Sequence, residues 1–328
     1  MPPAEPSPSV EPPSAVPTPT GPQSDPYVTM PALVPLRTAA QAGDWPATER
    51  FLTGLGDDDR AYAVRMLTEI EDTEGYLERA AAENPDDPLA RTLVAARYVV
   101  VGWNIRTHKI PKYVSRDQFK RFHEWLRRAE ELLIGICADH PSYALAWNAR
   151  LATARGLELG QSEARRRYDR LAAHHPYYFA SQRHLLQKLC PKWGGTYESL
   201  HEFARTCADA APPGGLAGAL VADAHLEHWL ELDEPADAEY IASPEVRDEL
   251  TEAAARSVLH PDHRPGFWDV TCHSLFAMVL SAGGHHAEAV PHFKALGERF
   301  DRHPWGFLPG DPESQFVNHR TTALTLTS

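Results

Sequence analysis

The chain has 328 residues, 43% of them apolar and 29 of them proline, with a formal net charge of −13. It is long enough to bury a substantial core, as one large repeat domain or two ordinary ones, and no stretch approaches the roughly 18 uninterrupted apolar residues that a membrane span requires. No charged-then-apolar leader opens it, and Cys137, Cys190, Cys207 and Cys272 form neither a CxxC pair nor a close framework, so a cytoplasmic protein with reduced, buried thiols is expected.

Residues 1–26 carry ten prolines and almost no apolar side chains, too few to bury the surface that ordering requires. A disordered, polyproline-like tail over 1–29 is expected, with Met30 as an alternative translation start. From Met30 onward the apolar residues recur every three or four positions and no alternating strand of useful length is found, which predicts an all-α domain over 30–304. Helix starts are marked by Asp57-Asp58-Asp59, whose carboxylates suit the positive end of a helix dipole, and by the N-cap candidates Ser115 and Ser243-Pro244. Residues 305–328 are read as a C-terminal tail.

Charge is unevenly distributed. Residues 27–90 sum to −8, residues 91–170 to +8 and residues 171–328 to −10. The basic middle gathers Lys109, Lys112, Arg116, Lys120, Arg121, Arg127 and Arg128, then Arg165, Arg166, Arg167 and Arg170, as a solvated helix face pairing with acidic neighbours would. Trp103, Tyr113, Phe119, Phe122 and Trp125 lie among these cations, but at helical spacing Phe122 and Trp125 belong to a core, and the acidic whole repels phosphate. Nucleic acid is not an expected partner.

Helices end on a polar-Pro step at Asn84-Pro85, His140-Pro141, His175-Pro176, His260-Pro261 and His303-Pro304, with Ala211-Pro212 in the remaining slot. The prolines are 56, 35, 36, 49 and 43 residues apart. Ala164, Tyr168 and Leu171 share the small-x3-aromatic-x2-aliphatic spacing of Ala289, Phe293 and Leu296; Ser199, Phe203 and Thr206 keep its first two positions. The first helices of the pairs contribute Tyr98, Trp103 and Trp147. Here the chain resembles the tetratricopeptide repeat family, in part of residues 85–304, with an insertion around "THKIPKYVSRDQF". The resemblance implies a right-handed α-solenoid of antiparallel helix pairs, each burying its apolar face by stacking on its neighbours. The segment "PKWGG" at Pro191–Gly195, after "HLLQKLC" and before a helix, also resembles the Pro-Lys-Trp-Gly-Gly signature of an uncharacterised bacterial domain of unknown function, which implies a family but no activity.

That same segment admits two readings. As a corner, Pro191 stops one helix, Gly194 and Gly195 supply a turn, Thr196 caps the next helix near Glu198 and Glu202, and Trp193 folds back as an apolar lid. As a site, Lys192 and the N–H groups of Gly194 and Gly195 form an anion nest. The corner is the expectation, with the nest as its alternative.

For metals, His225 and His228 lie on one helical face near Asp223 and Glu227, and His273 stands four residues from Asp269; a closed site needs three or four convergent ligands, so no metal and no cofactor are expected. His123-Glu124 starts a zinc-protease pattern that fails at Arg127, and neither a P-loop, a GxGxxG after a strand nor a GxSxG elbow occurs. The expected function is a protein-interaction module without catalysis, binding a peptide or protein partner in a concave groove. Polar side chains that interrupt apolar first helices mark the groove: Arg97, Asn104, Asn148, Arg150, Gln182, Arg183 and Lys188. Arginine forks there favour an acidic partner or a C-terminal carboxylate. The alternative is a small-molecule or metal-dependent enzyme built on His225, His228, His273 and the Pro191–Gly195 corner.

Overall fold

A computed structural model describes residues 21–107 and 111–327 of the protein. Among them the structure is helical apart from one parallel bridge between Gln23 and Arg299. The opening helices are α1 (Pro26–Thr29), α2 (Val34–Ala42), α3 (Trp45–Thr53), α4 (Asp57–Glu69) and α5 (Glu74–Glu83). The central ones are α6 (Pro88–Arg106), α7 (Arg116–Asp139), α8 (Ala144–Gly156), α9 (Gln161–Ala172), α10 (Phe179–Leu189) and α11 (Tyr197–Ala210). The last are α12 (Ala219–Trp229), α13 (Ala236–Ile241), α14 (Pro244–Arg256), α15 (Asp269–Ala282), α16 (His286–Leu296), α17 (Arg302–Trp305) and α18 (Pro312–Leu326). No helix among the described residues is long and apolar enough to cross a membrane.

Local chemistry sets most boundaries. Ser115 and Gln118 close a reciprocal capping box on α7, Ser243 caps α14, and Thr196 caps α11 with Ser199, not a glutamate, as its partner. Asn84, His140 and Ala211 are C-caps, and His175-Pro176 and His260-Pro261 lie in the turns after α9 and α14. His303-Pro304 departs from this rule, since it sits inside α17. The repeated second-helix residues Ala164, Tyr168, Leu171, Ala289, Phe293 and Leu296 are all buried, and the rings of Tyr168 and Phe203 meet edge to face at 5.3 Å. Thr206, which breaks the pattern, faces solvent. All four cysteines are free and buried.

Each helix of the central run packs on its successor, and alternate helices also meet: α4 on α6, α6 on α8, α8 on α10, α10 on α12, and α12 on α15. The intervening helices also meet through side chains, Glu130 of α7 with Arg167 of α9 and Tyr168 of α9 with Phe203 of α11. In addition, α4 reaches α10.

Three consecutive aspartates make this closure. Asp57 meets the His175 ring at 2.7 Å; Asp58 accepts a hydrogen bond from the Phe179 N–H at 3.0 Å; Asp59 accepts one from the Phe267 N–H at 2.7 Å. The Trp268 indole donates to the Asp58 carbonyl and stands edge-on to Tyr62 and Phe179. Neither α10 nor α15 has a capping side chain at its own N-cap, Tyr178 or Trp268. For α10, Asp58 supplies that acceptor from a remote helix.

The chain termini of the domain differ from the boundaries read in the sequence. Residues 1–20 of the proline-rich segment lie outside the described residues, but its remainder belongs to the fold: Gln23 exchanges two backbone hydrogen bonds with Glu298 and Phe300, and the Tyr27 hydroxyl donates to the Met66 carbonyl. Residues 305–327 are no tail, because α18 buries Phe316 and Ala323 against α15, α16 and α17, with Trp305 and Phe300 around Phe316. These aromatic residues supply what a strand-free end needs to order, apolar area removed from water.

Burial raises the Asp58 carboxyl from its ordinary 3.8 to about 6, opposed by the Phe179 hydrogen bond and reinforced by Asp57 and Asp59. A raised acid contributes stability fully below its unfolded value and loses it as pH rises through the folded value. Asp58→Asn keeps an acceptor for Phe179 without the charge. Its stability relative to wild type is expected to grow by on the order of 2–3 kcal/mol between pH 4 and pH 7, read by urea unfolding at several pH values.

Candidate ligand cavity on the inner helices

The inward faces of four helices enclose a cavity of about 360 Å³. Helical periodicity explains which residues line it. Val64, Arg65 and Thr68 come from α4; Thr92, Ala96, Val99 and Trp103 from α6; Asn148, Ala149, Ala152 and Arg155 from α8; Ala180, Arg183, His184 and Gln187 from α10. Trp268 closes one side, and Asp301 and His303, around the short α17, close another. Ala96 and Ala152, at the middle of the α6 and α8 stripes, keep the space open, while Trp103 and Arg155 stand at the C-terminal ends of those helices and Arg183 and His184 stand midway along α10.

The cavity is electrically polarised. Arg65 is paired with Glu69 at 3.2 Å and lies near Asp301, and Arg183 is paired with the buried Asp223 at 3.0 Å. Arg155 has no carboxylate partner among the described residues: its Nε is buried without a hydrogen bond, and its guanidinium lies 5.2 Å from the Trp103 ring and 5.8 Å from that of Trp193. Burial pulls its pKa down; Cys190 and the buried Glu227 oppose this, and Arg183 and Arg106 reinforce it. His184 beside it is pushed down to about 3, by burial first and then by Arg155, Arg183 and Arg65, so it is a neutral imidazole. Two further lining atoms, Thr92 Oγ1 and Asn148 Oδ1, are buried without a partner. Four inner helices thus bring an unpaired cation, a neutral imidazole and two unsatisfied oxygens to one apolar-walled space, an arrangement suited to a small anionic group with hydrogen-bond donors behind it.

Of the seven groove residues named from the sequence, Asn148 and Arg183 line this cavity. The others do not. Arg97 turns away to Glu74 and the Thr68 carbonyl, and Arg150 to Glu130, where Arg167 also binds. Gln182 is buried with its amide toward the Pro176 carbonyl, Lys188 donates to the Trp193 carbonyl, and Asn104 is exposed outside the cavity. A polar residue breaking an apolar helix marks an ion pair between layers as readily as a groove. Trp103, Arg155, His184 and Trp268 were missed, although the stripe Leu145-Asn148-Ala149-Ala152-Arg155 carries the three-four spacing that would have found one wall.

The Pro191–Gly195 stretch is a corner. Gly194 takes a left-handed φ of 86°, and a Cβ on Gly195 would overlap the Leu189 carbonyl. The N–H groups of Gly194 and Gly195 are spent on the Pro191 and Cys190 carbonyls, and Lys192 is bound to the buried Glu227, so the anion nest does not form. The corner nevertheless reaches the cavity, because Trp193 meets Trp103 edge-on and both rings lie beside the Arg155 guanidinium.

The histidines named as metal candidates fall in two places. His225 and His228 join His201, Tyr240 and Glu249 in a hydrogen-bonded cluster, with His201 to His228 at 3.0 Å and His225 to Tyr240 at 2.7 Å. His273 lies elsewhere, 3.0 Å from His292. No three His, Cys, Asp or Glu side chains among the described residues are disposed to share a metal ion. In the basic middle, Lys120, Arg165 and Arg166 are exposed and pair with Glu124, Asp169 and Glu163, whereas Phe122 is buried and Trp125 packs on Tyr98. No family model matches the chain, and no curated protein matches it.

Arginine substitutions separate binding from folding here. Arg155→Met removes a desolvated, unpaired charge and is expected to leave stability unchanged or raise it by about 1–3 kcal/mol; Arg183→Met strands Asp223 and is expected to cost about 3–5 kcal/mol, both by urea unfolding at pH 7.5. A second expectation concerns acid. Burial lowers His184 and His201 to about 3 and His273 to about 4, so their contribution is complete above pH 6.5 and is lost as pH falls. Thermal scans between pH 7 and 4.5 should show stability dropping by up to about 1.4 kcal/mol per pH unit for each of these histidines, and His184→Gln should reduce that slope.

Proposed function

We propose that the protein is a non-catalytic binding module, a strongly curved α-solenoid of the tetratricopeptide kind, that takes an anionic segment of a peptide or protein partner into the cavity between α4, α6, α8 and α10. The observation that carries this reading is Arg155, a guanidinium without a salt bridge among the described residues, set beside two tryptophans on the wall of a largely apolar cavity. Such a group costs stability in the free protein, and an incoming carboxylate would satisfy it with the charge-assisted bonds that make arginine a carboxylate receptor. Binding would also remove Val64, Val99 and Trp103 from water. The enzyme alternative draws on side chains that are already engaged, Lys192 by Glu227 and His273 by His292.

Immobilised protein offered a random peptide library should retain a defined subset of peptides. Arg155→Met and Trp103→Ala are expected to lose that subset, at least tenfold in affinity, while the exposed Asn104→Ala keeps it. Retention of the same peptides by all four proteins would place the binding surface outside the cavity.

A further inference from the structure

We infer that the protein holds a second ligand site, separate from the cavity around Arg155: the uncapped start of α8 takes a singly charged oxyanion group, a carboxylate or a phosphodiester. Three helices share one sequence device, an N-cap two residues after a polar-Pro step, at Asp87 for α6, Tyr143 for α8 and Tyr178 for α10. Only the first is a capping residue. Asp87 accepts from the Leu89 N–H at 2.8 Å and the Ala90 N–H at 3.2 Å, and α10 borrows Asp58 from α4. For α8, no side chain among the described residues accepts from Ala144, Leu145 or Ala146, although all three residues are buried. One of three matched helix starts lacks its acceptor.

A second group at the same place lacks one too. Tyr178 is 3% exposed, its hydroxyl is buried without a hydrogen-bond partner, and with Tyr143, Ala144 and Leu145 it lines a cavity of about 380 Å³ at this helix end. Burial, then Asp57, Asp58 and Tyr143, hold the hydroxyl well above its ordinary pKa against the pull of Arg60, so it remains a proton donor. Arg60, on the same wall, gives Nε and Nη2 to the Leu52 and Leu55 carbonyls, while Nη1 stands 3.7 Å from Asp57, outside hydrogen-bond reach. Backbone N–H groups, a phenol and a guanidinium edge all offer protons, and an oxyanion accepts from all of them. The carboxylates of the cavity limit its charge. Asp57 meets His175 at 2.7 Å and Asp139 meets Arg91 at 3.3 Å, so each has a partner, but a second negative charge on the ligand would face both. Leu145 alone is common to this lining and that of the Arg155 cavity, so the two sites share no polar group.

The probes are acetate, dimethyl phosphate and sulfate, each titrated into isotope-labelled full-length protein at pH 7.5 and constant ionic strength, with the amide shifts of Leu145 and Ala146 as the readout. Acetate, dimethyl phosphate or both should move these two amides saturably, which also tells a planar group from a tetrahedral one, and sulfate should bind at least about tenfold more weakly. Tyr178→Phe, checked for folding by its thermal transition, keeps the ring and should weaken binding roughly tenfold, the loss of one hydrogen bond to a charged group. Tyr143→Asp gives α8 the cap that α6 has and should abolish binding while raising the thermal midpoint. If that variant does not fold, the Tyr178→Phe comparison decides. Absence of saturable shifts at Leu145 and Ala146 with acetate and dimethyl phosphate, or equal affinity in wild type and Tyr178→Phe, overturns the site. Sulfate binding as tightly as either monoanion overturns its single-charge character.

Discussion

Everything inward of the helices depends on how one N-terminus is satisfied. The α10 helix begins with no side-chain cap of its own, and the acceptor for its Phe179 N–H comes from Asp58, on the first turn of α4. Asp57 and Asp59 extend the same turn to His175 and to the Phe267 N–H ahead of α15. A row of helices that would otherwise stay open is thereby bent until its first member touches its fourth. The cavity, its polarity and the confinement of Arg155 all result from that bend.

Closure has a cost that the cavity shares. Asp58 is partly buried where its charge is disfavoured, and Arg155 is partly buried with no carboxylate at salt-bridge distance among the described residues. The two are stabilised differently. Asp58 is held by an N–H donor, whereas Arg155 is held only by ring faces, so one is complete within the protein and the other is completed by what it binds. Buried pairs elsewhere, such as Arg150 and Arg167 on Glu130, show what the sequence does with arginines that serve packing alone: each has its carboxylate.

The helical layout was readable because it is written locally. Polar-Pro steps, Ser115, Ser243 and the small-x3-aromatic spacing of Ala164-Tyr168 and Ala289-Phe293 each act within a turn or two of where they stand. The closure was not, since Asp58 and Asp59 meet partners 121 and 208 residues away, and three aspartates at a helix start already have a sufficient local explanation in the helix dipole. For the cavity, Asn148 and Arg183 were found and Arg97, Arg150, Gln182 and Lys188 were not cavity residues, because polarity on a first helix does not distinguish the face turned inward from the face turned to the second layer. The 305–328 segment reads as a tail because its helix has few apolar residues; Phe316 alone, against Trp305 and Phe300, is enough to seat it.

The tie between Gln23 and residues 298–300 joins the first described residues to a loop nearly the whole length of the chain away. In an open repeat array each unit answers only to its neighbours, and the ends can fray while the middle holds. Here loss of the Gln23 bridge frees residues 298–300, and melting the first turn of α4 removes the Asp58 acceptor from the start of α10. These contacts couple segments 121 and 208 residues apart, which raises the contact order of the described residues above that of an array held by neighbours alone.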